Sequence, residues 1–93
     1  MPITRVNELQ ALPGQGDVLW KHLQALVKKT SASPGCHSCQ LLRGVDDAER
    51  LVVIEVWEDG EAHKAALKTF PREVFTETLR LVASPPVGRN YQE

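Results

Sequence analysis

Charge of one sign, aromatic rings and long apolar runs are all scarce in this chain. Lys and Arg total 11 against 12 Asp and Glu, a net charge of −1 with both signs interspersed. That balance gives no basic footprint for nucleic acid or for an anionic membrane surface. The densest basic pair, Lys28-Lys29, sits where a helix C-terminus would favour cations in any case. No apolar run approaches the ~20 residues of a membrane-spanning helix, and Met1–Arg5 lacks the apolar core of a secretory leader. The expected setting is therefore cytoplasmic. Only two cysteines are present, and in a reducing compartment they are expected as free thiols. Internal repeats, low-complexity tracts and linkers are absent as well, so residues 1–93 are expected to form one domain.

What is there reads as an ordinary globular chain, with 42% hydrophobic and 25% charged residues. A domain of this size buries only roughly 60–65% of its unfolded surface, so contacts with a partner are a common supplement. Pro2–Leu12 alternates as a strand, with Ile3, Arg5, Asn7 and Leu9 on one face. Pro13-Gly14-Gln15-Gly16 ends it. Asp17 suits the N-cap of a helix to about Ser31, and Leu19, Leu23, Leu26, Val27 and Thr30 form its apolar stripe. Cys36–Arg43 and Arg50–Glu58 read as strands around a polar loop at 44–49. Asp59-Gly60 opens a second helix striped by His63, Ala66, Leu67 and Phe70. Pro71 forces a kink or restart, and Val74, Phe75, Thr78, Leu79 and Val82 resume the period. Val87–Gln92 is a last short strand.

The order βαββαβ implies an α+β, ferredoxin-like plan: a four-stranded antiparallel sheet with two helices on one face. Within it, Leu51–Trp57 is nearly continuously apolar, where a strand covered on one face should alternate. A second copy of the chain is the simplest cover for the other face.

In this order, Pro13-Gly14, Pro34-Gly35-Cys36-His37, Glu55-Val56-Trp57-Glu58 and Gly60–Leu67 resemble the antibiotic biosynthesis monooxygenase family over residues 3 to 82. The resemblance implies a homodimer with two facing sheets, the dimeric α/β barrel. It also implies oxidation of quinol-, naphthol- or anthrone-like substrates by molecular oxygen without flavin, haem or metal. Many relatives carry a histidine where this chain has Ala66, and another where it has Thr69-Phe70-Pro71; His63 is the nearest substitute. A haem-degrading branch uses an asparagine, a tryptophan and a histidine. Asn7 fills the first position, while Ala66 and Thr76 occupy the others.

The catalytic candidates are His63, Asn7 and Trp57. His63 is either a hydrogen-bonded core histidine or a proton acceptor for a substrate hydroxyl. Asn7 either fixes an oxygen or bonds across an interface. Trp57 is either a pocket wall with an indole donor or a packing anchor. Phe70 and Glu55 are candidate substrate contacts, with Arg72 and Arg80 as possible oxyanion stabilisers from the last helix. For Glu55, a salt bridge to Arg5 or Arg89 is the first expectation and a proton acceptor the second. Cys36 and Cys39 should fall on opposite strand faces, which argues against a disulfide or a metal site. The leading expectation is a cofactor-independent monooxygenase taking a small aromatic substrate and dioxygen. The alternatives are a non-catalytic dimeric binding protein and a haem-binding oxygenase variant.

Overall fold

The computed structural model describes all 93 residues. Its elements run β1 (Ile3–Gln10), α1 (Gly16–Ser31), β2 (Cys36–Arg43), β3 (Arg50–Trp57), α2 (Gly60–Leu67), α3 (Arg72–Leu81) and β4 (Val87–Tyr91). The strands form one antiparallel sheet in the order β2-β3-β1-β4. This is the ferredoxin-like arrangement expected, with one correction. Three helices lie on the sheet rather than two, because Pro71 ends the backbone ladder instead of bending it. The Thr69 hydroxyl closes α2 by donating to the carbonyl of Ala66, and Pro71, in an extended conformation, opens α3.

The core lies between β1–β3 and the helices. Leu19, Leu23, Leu9, Leu51, Val53 and Leu81 are buried together, and the amphipathic stripe of α1 supplies two of them. The strand pairing fixes which residues of β3 look inward. Leu51, Val53, Glu55 and Trp57 face the helices, whereas Val52, Ile54 and Val56 face outward with Val6, Gln40 and Leu42 as cross-strand neighbours. The two-faced strand thus has two distinct surroundings.

Helix α1 is capped by tertiary contact rather than by Asp17. The N-cap residue Gln15 makes no side-chain cap hydrogen bond; the Gly16 N–H instead donates to Glu49 Oε2 of the β2–β3 loop at 3.2 Å. Asp17 sits inside the first turn, where a negative charge is favoured, and pairs with Arg43 at 3.0 Å. The Arg43 guanidinium also lies 4.7 Å from the Trp20 ring centroid, so a single side chain ties α1 to β2. Gly35, with φ +82°, marks the start of β2, and a Cβ there would come within 2.6 Å of the Ala62 Cβ. That close approach brings the N-terminus of α2 down over the end of β3, setting His63 above Trp57.

A second correction concerns β2. Its pairing with β3 slips between Cys36 and Ser38, leaving His37 as the extra residue of a bulge. Cys36 then pairs with Trp57 and Cys39 with Glu55, so both thiols come to the helix side of the sheet. Strict alternation failed here because one unpaired residue restores the same face after three steps. The cysteines are free thiols, and no three His, Cys, Asp or Glu side chains are gathered to hold a metal. Burial, then the Glu55 carboxylate, then Cys36 push the Cys39 thiol up to about 12. At pH 8 its thiolate fraction is then about one part in 10⁴. Iodoacetamide at that pH should leave Cys39 of the folded protein unlabelled long after a model thiol has reacted, read by peptide mass spectrometry. Rapid labelling would contradict the burial.

Candidate active site

Between the sheet and the helices lies a cavity of about 260 Å³. Leu23, Leu26 and Val27 of α1 form one wall, and Ala66, Phe70 and Phe75 form the opposite one. Phe70 packs edge-on against Phe75 at 6.1 Å, and Lys29 Nζ lies 4.7 Å from the Phe70 ring while donating to the Thr69 carbonyl. These contacts join the C-terminus of α1 to the α2–α3 joint at the cavity rim.

The polar groups gather at the sheet end. Glu55 is the centre of that cluster. Asn7 Nδ2 donates to its Oε2 at 3.0 Å and Trp57 Nε1 donates to its Oε1 at 2.8 Å. Each oxygen keeps further acceptor capacity, since a carboxylate offers about four lone-pair sites. The salt bridge expected for Glu55 does not form. Arg5 is its cross-strand neighbour, but the guanidinium turns away to donate to Asn90 Oδ1 at 3.0 Å, and Arg89 pairs with Val6 on the outward face. A half-buried carboxylate therefore looks into an apolar cavity with two neutral donors and no ion pair.

His63 stands beside it. Its ring lies 5.4 Å from that of Trp57 at 58°, and it lines the cavity. The histidine that does form a hydrogen bond is His22, on the Thr78 hydroxyl at 2.7 Å. Thr78 Oγ1 also lies 2.9 Å from the Val74 carbonyl, and the His22 contact ties α1 to α3. Burial lowers the pKa of His63 below its ordinary 6.5, the Arg5 charge lowers it further, and Glu55 opposes both. The lowered pKa favours the neutral imidazole at pH 7, a form with one acceptor nitrogen.

Of the residues singled out in the sequence, Asn7, Glu55, Trp57, His63 and Phe70 are brought together. Arg72 and Arg80 are not. Both are exposed on α3, and Arg80 pairs with Glu77. The guanidinium at the cavity is that of Arg5, which alternation on β1 already placed on the face of Asn7. Thr78 also lines the cavity; its place in a helical stripe gave no sign of a polar role.

The family model of antibiotic biosynthesis monooxygenases matches residues 2–78. The chain belongs to that family. Among curated proteins, this family member is 35% identical over 65 residues to a heme oxygenase (mycobilin-producing) of Mycobacterium tuberculosis. The matched stretch is 70% of this chain and 62% of that protein, so the chain spans under two thirds of the relative's length. Among solved structures, SnoaB, a cofactor-independent oxygenase from Streptomyces nogalater, superposes with a TM-score of 0.86 at 22% identity, covering 99% of this chain and 92% of its own. A conserved protein from Methanosarcina mazei gives a TM-score of 0.91 at 17% identity, over 100% of this chain and 93% of its own. At those identities the structural likeness establishes the fold of this family member alone. No helix is long and apolar enough to cross a membrane.

Proposed function

We propose that the chain is a cofactor-independent monooxygenase that oxidises a small hydroxylated aromatic compound with dioxygen. The observation that carries this reading is the presence of two acceptors, the Glu55 carboxylate and the His63 imidazole, in a cavity walled mainly by Leu, Val and Phe side chains. An aromatic body fits the Leu, Val and Phe walls, and its hydroxyl meets the acceptors. Glu55 orients the hydroxyl, and His63 takes its proton. The resulting anion gives electrons to dioxygen; one oxygen atom enters the product, the other leaves as water, and the substrate supplies all four electrons. Trp57 and Asn7 hold Glu55, and Phe70 covers the ring. In metal-free, flavin-free buffer, oxygen uptake is expected with at least one member of a quinol, naphthol and anthrone panel. Saturable binding without uptake across that panel would instead identify a non-catalytic binding protein.

Kinship with the mycobacterial heme oxygenase supports haem as an alternative substrate. The side chains do not fit it. The haem-degrading branch's tryptophan position is Ala66, a small residue of the cavity wall, and its histidine position is Thr76, exposed on α3 with its hydroxyl on the Arg72 carbonyl. A haemin titration that leaves the Soret band unshifted is expected, and a saturable shift would overturn the choice of substrate.

The working unit in this proposal is a cytoplasmic homodimer. Supporting it, the outward sheet face carries Val6, Val52, Ile54 and Val56 only partly covered, while Leu42, Val87 and Tyr91 are 45%, 44% and 53% exposed. So large an apolar face on one sheet calls for a partner, and a second copy brings the same face to meet it. Ile54→Glu, which places a charge at the middle of that face, is expected to convert a dimer to a monomer by light scattering at micromolar concentration. A monomeric wild type would contradict the proposal.

A further inference from the structure

Gly88 lies on the edge strand β4, directly opposite Asn7, with Asn90 opposite Arg5. Its φ is outside the left-handed region, so the backbone there accepts any L residue. What an added side chain would meet is the ends of two other side chains. A Cβ on Gly88 would fall 2.5 Å from Arg5 Nη2 and 2.7 Å from Asn7 Oδ1. The amide that donates to Glu55 and the guanidinium that turns away from it are thus both folded against the bare Cα. This glycine serves no tight turn, and β4 is exposed throughout, so neither backbone strain nor core packing accounts for it.

We infer that Gly88 is a positioning residue of the cavity, whose missing side chain lets Asn7 hold the Glu55 carboxylate and lets Arg5 stay off it. The inference rests on the reading of the cavity as the active site, and it assigns Asn7 an indirect role. Asn7 acts through Glu55 instead of touching dioxygen or substrate. With a methyl group at position 88, the Asn7 amide must leave its place, and Arg5 must find another. The cross-strand neighbour of a displaced Arg5 is a carboxylate, Glu55. An ion pair there would occupy the acceptor that a ligand hydroxyl needs.

The test compares Gly88→Ala with Gly60→Ala, whose added Cβ would meet nothing within 4 Å. Gly88→Ala is expected to keep its thermal midpoint, to shift the Trp57 indole N–H resonance as the bond to Glu55 changes, and to weaken 1-naphthol binding by about tenfold or more. Gly60→Ala should do neither. An unchanged resonance and unchanged binding in Gly88→Ala would overturn the inference. If Gly88→Ala does not fold, Asn7→Ala decides the matter by the same readouts. It must shift the indole resonance and weaken 1-naphthol binding, and unchanged values would overturn the inference. Where Gly88→Ala folds, adding it to an Arg5→Ala, Asn7→Ala background should cause no further loss, and an extra loss would also overturn the inference. Because these readouts need no turnover, they separate the two claims. A wild type that binds 1-naphthol through the Gly88-dependent site without oxygen uptake contradicts only the oxygenase reading. A wild type that turns over while Gly88→Ala is silent contradicts only the positioning role.

Discussion

His63→Ala is expected to lower kcat/KM for a hydroxylated aromatic substrate by about 10²–10⁴-fold, the range that a positioned proton acceptor contributes, while the protein stays folded. The imidazole is half-buried against Trp57 and belongs to the cavity wall, outside the main cluster of buried Leu and Val residues. Its removal therefore acts on chemistry before stability. The pH profile carries the sharper signature. Burial and Arg5 hold the pKa of His63 below 6.5, so the basic form persists into mildly acid solution. The acid limb of kcat/KM in the wild type should lie below pH 6.5 and should vanish from the residual activity of His63→Ala. The stability linkage has the matching sign. A histidine with a depressed folded pKa binds protons more readily when unfolded, so its protonation opposes folding as pH falls through the unfolded value. His63→Ala should then lose less stability than the wild type between pH 7 and pH 5. An acid limb unchanged by the substitution would transfer the proton-accepting role to Glu55.

Trp57 gives the second large effect. The side chain is 1% exposed and among the largest fully buried ones. Trp57→Ala should cost about 3–5 kcal/mol in urea unfolding, a large share of what a domain of this size possesses. Trp57→Phe separates the two duties of the indole. The phenyl ring keeps most of the packing and the neighbour for His63, but Glu55 loses the 2.8 Å donor on Oε1. A hydrogen bond to a charged group contributes about 1.5–3 kcal/mol, so Trp57→Phe should lose roughly half as much stability as Trp57→Ala. It should also lose substrate affinity, because the carboxylate becomes free to rotate or to capture Arg5. If Trp57→Phe binds 1-naphthol as the wild type does, the indole N–H has no part in the site.

Alternation and helical periodicity carried much of this architecture. The β1 pattern set Arg5, Asn7 and Leu9 on one face, and the unbroken apolar run of β3 pointed to two apolar faces, which the register assigns to the cavity side and the outward side of the sheet. What could not be read depends on contacts distant along the chain. The bulge at His37 follows from how β2 meets β3, so the faces of Cys36 and Cys39 were assigned wrongly by alternation alone. The cap of α1 comes from Glu49, 33 residues away from Gly16. Arg5 shares a register position with Glu55 yet donates to Asn90 of β4, lying over the bare Cα of Gly88. Arg72 and Arg80 looked suitable because they lie on a helix that borders the cavity, but the helix phase directs them to solvent. In each case the local pattern fixed the element, and a partner from elsewhere in the sequence fixed the side chain.

Isotopically labelled dioxygen tests the central claim most directly. Incubated in metal-free, flavin-free buffer with the panel member that drives oxygen uptake, the protein should transfer one labelled oxygen atom into each product molecule, with the other recovered in water. His63→Ala should slow the formation of labelled product by about 10²–10⁴-fold at matched protein concentration. A product that carries no label, or labelled product formed as fast by His63→Ala as by the wild type, would contradict an oxygenase built on this cavity.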